Sequence, residues 1–339
     1  MEKKLHVNGK KAYLTSIFKK GSRKDCENYR GISVIATMGR LYGKILQNKL
    51  EENIRGKIGE EQAGFTAGKS CVDHIYTLQQ LIEKKTTKNR EVHLTFVDLR
   101  KAYDTVPRNK LYTALNKLKI PIRLKNAIKN LYKNNTVYIK TENRIIASLK
   151  TTKGLLQGCP TSPTLFKIFL ESALSLWKMK CQGMGIPVRN SHLYTLCFAD
   201  DQVVIAQDED DMSYMVRKLQ EEYIKAGLEI NLKKTEYLAI TEDNIKNLTL
   251  SDGMEITGTD KFKYLGFTMT KNGSTEEEIK NRLGQTRACI RQLHTIIWNK
   301  NIRNETKRMI YHTIVQSIMT YAAEVWVINK KFQGKILAT

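Results

Sequence analysis

Two adjacent acids inside an apolar run constrain this chain more than any other feature. In Leu196-Cys197-Phe198-Ala199-Asp200-Asp201-Gln202-Val203-Val204-Ile205, strand formers flank the pair, so the stretch reads as two short strands with the aspartates at the turn. Two carboxylates at a tight hairpin repel each other, and folding alone gains nothing from that. A positive charge belongs beside them, and a divalent cation is the usual one. A solvated turn also uses Asp, so the pair gains meaning only from the rest of the chain.

A third acid has a matching setting. Val92, Leu94, Phe96 and Val97 make a buried strand that delivers Asp98 at its end, and a helix begins near Pro107 with Leu111, Leu115 and Leu118 on its core face. Asp98, Asp200 and Asp201 each fall where a central sheet can present its edge. Two divalent ions ~4 Å apart, held by such acids, stabilise both the attacking and the leaving oxygen of a phosphoryl transfer. Mg²⁺ suits the task because it takes a few carboxylates plus phosphate oxygens. Lys19, Lys20 and Arg30 are available to neutralise a triphosphate. The chain holds the parts for nucleotidyl transfer.

The charge balance points the same way. Lys+Arg 57 against Asp+Glu 34 leaves +23 over 339 residues, which predicts a polyanionic partner. No apolar run reaches the ~18 residues that span a bilayer, and Met1-Glu2-Lys3-Lys4 does not open a signal peptide. Nucleic acid is therefore favoured over a membrane. The cysteines (Cys26, Cys71, Cys159, Cys181, Cys197, Cys289) form no Cys-x-x-Cys pair, and Cys71-x-x-His74 has no second half. Reduced thiols and an intracellular protein are expected. Gly64 to Ser70 is one residue short of a phosphate loop, which excludes a nucleotide-hydrolase reading.

The remaining pattern predicts a strand over 11–20 and a helix over 37–56 with Met38, Leu41, Ile45 and Leu50 at apolar positions. Helices over 73–84 and 122–133 and a hairpin over 137–152 follow. Gly154 to Pro163 opens a long apolar helix. A helix over 211–226 takes Asp211 as cap, with Asp208 to Asp211 complementing its N-terminus. Leu228, Ile230 and Leu232 alternate as a half-buried strand. Phe262 to Met269 is a further strand, turning at Asn272-Gly273. Ser274-x-x-Glu277 is a capping box for a helical C-terminal part, whose last helix holds Met309, Ile310, Ile314 and Ile318.

The order of these segments resembles a reverse transcriptase of the non-LTR retrotransposon kind. Asn28-Tyr29-Arg30-Gly31-Ile32-Ser33 resembles the family's first fingers motif, and Gln62-Ala63-Gly64-Phe65 to Ser70 with Asp73-His74 its second. Phe96 to Asp104 is similar to motif A, Gly154 to Pro163 to motif B and Phe198-Ala199-Asp200-Asp201 to motif C. Gly227 to Asn231 with Lys233-Lys234-Thr235-Glu236 resembles motif D, and Tyr264-Leu265-Gly266 motif E, the primer grip. Seven motifs in order cover nearly the whole chain. The one mild departure is Thr161, where the family mostly has Leu.

Carried over residue by residue, the resemblance implies that Asp98, Asp200 and Asp201 are catalytic and bind two Mg²⁺ ions, with Mn²⁺ as a substitute. Tyr103 matches the aromatic position that crowds the 2′-oxygen, with a core tyrosine on the first helical turn as the lesser alternative. Gln157 and Gly158 line the nascent base pair. Arg30, Lys19 and Lys20 meet the triphosphate, although either lysine also suits a solvated face. Lys234 is a candidate proton donor to the pyrophosphate, with an exposed strand lysine nearly as good a reading. The implied partners are an RNA template, a DNA primer and dNTPs, in the nucleus or cytoplasm. The family's elements carry an endonuclease, expected here as a partner or a missing domain.

The implied fold is α+β, a right-hand polymerase whose palm is an antiparallel sheet with helices on one face. Residues 1–90 and 105–150 would be fingers, 91–104 and 151–270 palm, and 271–339 a helical thumb, expected to be cut short. Two rivals stay open. A silent, maturase-like RNA-binding protein would keep the basic surface without needing all three acids. A metal-dependent nuclease would leave Tyr103 and the Gln157-Gly158 loop unexplained. On any nucleic-acid reading that rests on phosphate contacts, affinity falls with salt. Filter binding to RNA should show a loss of roughly a thousandfold or more between about 50 and 200 mM salt if six or more phosphates are contacted.

Overall fold

The stretch Val92–Val97 is buried at every position, and a strand with no wet face must lie in a sheet covered on both sides. The computed structural model, which describes residues 11–25, 28–133, 135–141, 144–241, 246–251 and 253–338, has that arrangement. Cys26 lies outside the described residues. Strands β1 (Lys11–Phe18) and β2 (Tyr29–Ile35) lead into helices α1 (Thr37–Ile54) and α2 (Cys71–Thr86). Then come β3 (Val92–Val97), α3 (Ala102–Thr105), α4 (Arg108–Lys117), α5 (Ile122–Tyr132), β4 (Thr136–Thr141), β5 (Arg144–Lys150) and α6 (Ser162–Lys180). Next are β6 (Ile186–Val188), β7 (Ser191–Leu193), β8 (Thr195–Phe198), β9 (Asp201–Ala206) and α7 (Glu209–Ala226). Short strands β10 (Glu236–Ile240), β11 (Leu248–Thr249), β12 (Glu255–Gly258), β13 (Lys261–Tyr264) and β14 (Phe267–Thr270) follow. The C-terminal part is helical, with α8 (Glu276–Gln292), α9 (His294–Ile297), α10 (Asn304–Ile310), α11 (Ser317–Met319) and α12 (Lys330–Leu337), and a π-helical stretch Tyr311–Gln316 joins α10 to α11.

Two larger sheets result. One has the order β2-β1-β4-β5, with β1 antiparallel to β2 and parallel to β4. The other has the order β11-β12-β10-β3-β9-β8, antiparallel except for the β10–β12 pair. Alternation along β3 and β9 splits the core in two. Val92, Leu94, Phe96, Val203 and Ile205 share a cluster with Ile75, Leu78 and Ile82 of α2 and with Phe267 and Met269 of the β13–β14 hairpin. Val97, Val204 and Ala206 pack with α6 and α7 through Phe169, Met215, Val216, Leu219 and Tyr223. Helices therefore cover both faces of this sheet, not one, because α2 supplies the second.

Several local expectations are corrected. Residues 228–233 form no strand. Ile230 makes a single bridge to Leu99, and the chain turns before β10, whose pairing with β3 takes the edge that a strand there would have used. Phe262 to Met269 is two strands of a hairpin that turns at Leu265-Gly266. Ser274 does not box α8. The cap is Thr275, without a side-chain bond, and Glu278 at the third helical position instead accepts from Thr268 N at 2.8 Å. Helix α7 is capped by Asp208, whose Oδ1 accepts from Asp211 N at 2.8 Å, and Glu209, Asp210 and Asp211 fill its first turn. In α1, Met38, Leu41 and Ile45 face out while Gly39, Gly43, Leu46, Leu50 and Ile54 face in. The glycine side lets the 159–161 loop approach, and Thr161 Oγ1 donates to Gly43 O at 2.8 Å. That buried bond gives Thr161 a partner a leucine could not supply.

Buried polar groups tie the β8–β9 hairpin to α7. Tyr223 Oη donates to Gln202 Oε1 at 2.6 Å, Gln202 Nε2 donates to Thr195 Oγ1 at 3.0 Å, and Thr195 Oγ1 donates to Val203 O at 2.7 Å. Burial raises the Tyr223 phenol well above its ordinary range, so it stays a donor at all working pH values. Tyr223→Phe should cost about 1–3 kcal/mol, because it strands the buried Gln202 carbonyl. Urea unfolding at constant m-value checks this.

Candidate active site

The register of β3 on β9 builds the site. Phe96 pairs with Val203 and Val97 with Gln202, so the next step along both strands sets Asp98 beside Asp201. Cβ atoms at such positions are about 4.5–5.5 Å apart. Phe198 pairs with Asp201 across the hairpin, which leaves Ala199 and Asp200 as a two-residue turn. Ala199 has φ of 61°, a conformation usually given to glycine. The strain is held by the 61–64 loop, which lies along β8: Cys197 N donates to Glu61 O and Ala63 N to Cys197 O, both at 2.9 Å. Gly64 sits so close that a Cβ there would be 2.2 Å from Ala199 N, which explains why a glycine is required.

Electrostatics follow from this crowding. Asp201 keeps an exposed surface, yet desolvation by the packed backbone, then Asp200, then Asp98 push its carboxyl up to about 6, with Arg30 pulling the other way. Asp98 is fixed by three bonds. Its N–H donates to Thr235 Oγ1 at 3.3 Å, its Oδ2 accepts from Asn231 Nδ2 at 3.1 Å, and its carbonyl accepts from Asn231 N at 2.8 Å. Among the described residues no three His, Cys, Asp or Glu side chains converge tightly enough to hold an ion unaided. The donor set still suits a hard divalent cation. Three carboxylates share one patch, and cation binding would relieve the repulsion that Asp201 feels.

The other candidates fall around this patch to differing degrees. Arg30, on β2, reaches Asp201 electrostatically. Lys19 and Lys20 are exposed just past β1, and the Lys19 backbone N–H donates to Asn28 O at 2.8 Å. Tyr103 stacks on Phe166 at 4.5 Å between centroids and packs, half-buried, against the core. Its hydroxyl is buried and has no hydrogen-bond partner among the described residues, and burial followed by Asp200 raises its pKa. Gln157 Nε2 donates to Asp104 Oδ1 at 2.9 Å, and Gln157 O accepts from Ser33 N at 2.7 Å. Gly158 has φ of 108° and faces the Ser33 carbonyl. Lys234 is exposed on the turn after Asn231, not on a strand. Tyr264 is buried, and Leu265-Gly266 form the hairpin turn beside it.

Sequence reasoning named Asn231, Thr235, Asp104 and Gly64 only as parts of motifs and gave them no work. Their partners lie 50 or more residues away in the chain, so no local pattern reveals them. A cleft of about 1070 Å³ lined by Glu91, Ile240, Asp260 and Lys271 is not this site. Glu91 and Asp98 stand at opposite ends of β3, roughly 20 Å apart at the rise of a strand.

The Asp201 shift makes a sign-definite prediction. A carboxyl raised to about 6 in the fold, from the ordinary 3.8, binds its proton more tightly folded than unfolded. Stability therefore falls as pH rises through that window and stays low above it. Without divalent ions, Asp201→Asn should raise Tm by a few degrees at pH 7.5, and the gain should vanish near pH 4. Calorimetry across this range checks it.

The family model described as reverse transcriptase (RNA-dependent DNA polymerase) matches residues 17–269. A retrovirus-related Pol polyprotein from the type-1 retrotransposable element R2 of Nasonia vitripennis is 25% identical over 265 residues, 74% of this chain and 25% of that one. A probable RNA-directed DNA polymerase from transposon BS of Drosophila melanogaster is 24% identical over 95% of this chain and 36% of its own length. The chain thus spans about a quarter to a third of these relatives. Telomerase from Candida tropicalis, solved with a fragment of telomeric RNA, shares the fold over 99% of this chain and 55% of its own, with a TM-score of 0.59 and 13% identity. The chain belongs to the reverse transcriptase family, as a domain of the non-LTR retrotransposon kind.

Proposed function

We propose that this chain is an RNA-directed DNA polymerase that adds dNTPs to a primer 3′-hydroxyl on an RNA template. The observation that carries the reading is the β3–β9 register, which sets Asp98 beside Asp201, the acid that Arg30 reaches electrostatically. Asp98, Asp200 and Asp201 would hold two Mg²⁺ ions, which when bound polarise the attacking and leaving oxygens. Asn231 ties one oxygen of Asp98. Arg30, with Lys19 and Lys20 just past the end of the neighbouring strand β1, carries positive charge to the triphosphate. The Tyr103 ring, braced by Phe166, is stiff enough to crowd a 2′-oxygen, and its orphaned hydroxyl supports a polar ligand there. The Asp104 bond holds the Gln157 amide in the loop that would face the base pair. Lys234 stands exposed, free to approach the pyrophosphate as proton donor.

On this reading the β2-β1-β4-β5 sheet with α1 belongs to the fingers, the six-stranded sheet is the palm, and residues from 271 on are the thumb. The chemistry is in-line: the 3′-hydroxyl gives its proton to water, its oxygen attacks the α-phosphorus, the bond to the bridging oxygen breaks, and pyrophosphate leaves with a proton from Lys234.

Primer extension tests this. With an RNA template, an annealed DNA primer, Mg²⁺ and labelled dNTPs, the parent chain should extend the primer. Asp200→Asn/Asp201→Asn should fall below about one-hundredth of that rate. A parent that binds RNA tightly yet extends nothing would favour the silent binder, and cleavage without dNTPs would favour the nuclease.

A further inference from the structure

The turn at Leu265-Gly266 is as strained as the one at Ala199, and it is held from the C-terminal helical part. Leu265 has φ of 48° and Gly266 φ of 84°, so both central residues of this two-residue hairpin are left-handed. A leucine there is unfavourable by about 1–2 kcal/mol and persists only if the surroundings fix it. Two side chains do so. Tyr321 Oη donates to the Leu265 carbonyl, and Arg282 Nη2 donates to the Gly266 carbonyl. Arg282 is buried, pairs with Glu278, and lies over the Tyr321 ring at 4.5 Å. Glu278 closes the ring of contacts by accepting from Thr268 N at 2.8 Å.

The same turn is tied to the aspartate hairpin from the other side. Tyr264 Oη lies 3.3 Å from His74 Nδ1, and the His74 ring meets the Phe198 ring edge-on at 6.0 Å. Phe198 directly precedes Ala199 and Asp200. Burial, then Lys69, push His74 down to about 4, so this link is between neutral groups at working pH. The chain of contacts therefore runs from Asp200-Asp201 through Phe198, His74 and Tyr264 to the Leu265-Gly266 turn, and on to Tyr321 and Arg282.

We propose that Arg282 and Tyr321 are positioning residues that set the Leu265-Gly266 turn, and with it the primer 3′ end, at a fixed place relative to Asp200 and Asp201. This rests on the polymerase reading. Neither residue touches the reacting atoms. Both act through two backbone carbonyls of a turn that could not hold its shape unaided. Loosening it shifts the primer terminus, whereas Arg30, Tyr103 and Gln157, on the dNTP side, belong to segments outside this chain of contacts.

The test compares Tyr321→Phe, Arg282→Met and Arg282→Lys with the parent. Tyr321→Phe keeps the ring under Arg282 and removes the bonds its hydroxyl makes to Leu265 and to Cys71, so it should fold, and Cys71→Ala beside it isolates the Leu265 bond. In steady-state extension, kcat/KM for the primer–template should drop about 10- to 100-fold while the dNTP KM stays unchanged. Arg282→Lys should recover part of what Arg282→Met loses. A primer carrying 2-aminopurine at its 3′ end gives a second readout that needs no turnover: its fluorescence on binding should change in the variants. A drop only in active-site titre, with both KM values and the fluorescence unchanged, would overturn the proposal and leave a purely structural role. A parent that extends nothing would overturn the polymerase reading itself, and an unchanged fluorescence signal would still sink the positioning role on its own.

Discussion

The antiparallel register of two buried strands is the constraint on which the rest depends. Side chains on a strand alternate faces, so a slip of one residue between β3 and β9 would send Phe96, Val203 and their neighbours to the wrong layer. The two layers differ, with α2 and the β13–β14 hairpin on one side and α6 and α7 on the other, so neither tolerates that exchange. The Tyr223–Gln202–Thr195 bonds add a polar check on the same register. Asp98 stands beside Asp201 as a by-product of this packing. The core places the charges, and their repulsion stays affordable because they sit at the strand ends, where water and ligands can reach.

The Ala199-Asp200 and Leu265-Gly266 turns share a design. Ala199 and Leu265 occupy glycine-like conformations without being glycine, and each is braced by contacts from distant parts of the chain. Regular structure supplies the coarse frame here, while strained turns held by long-range hydrogen bonds supply the fine placement.

Much of this frame was legible in the sequence. The Asp200-Asp201 hairpin, Asp98 at a strand end, and the helices α6 and α7 follow from alternation, apolar runs and acidic caps that act locally. What stayed hidden was decided elsewhere in the chain. Met38, Leu41 and Ile45 looked like a core stripe, but the inward face of α1 is its glycine side, because the 159–161 loop packs there. Leu228, Ile230 and Leu232 alternate like a strand, yet β10 holds the place beside β3. The cap of α8 moved one residue because Glu278 is committed to Thr268 and Arg282. In the site, the acids announced themselves by their setting, whereas Asn231, Asp104 and Gly64 matter through partners far away in sequence.

The connectivity of the first sheet bears on how such a chain leaves the ribosome. Strand β1 lies between β2 and β4, but β4 begins at Thr136, long after Phe18 ends β1. At ordinary synthesis rates the open side of β1 waits on the order of ten seconds for its parallel neighbour. Strand β3 likewise waits for β9 and β10. Pairings of such separation are slow to close, and unpaired strand edges are templates for the wrong partner in the meantime. A nascent chain with this topology holds its apolar strands unfinished until Ile240 emerges, so its yield depends on what shields them until then.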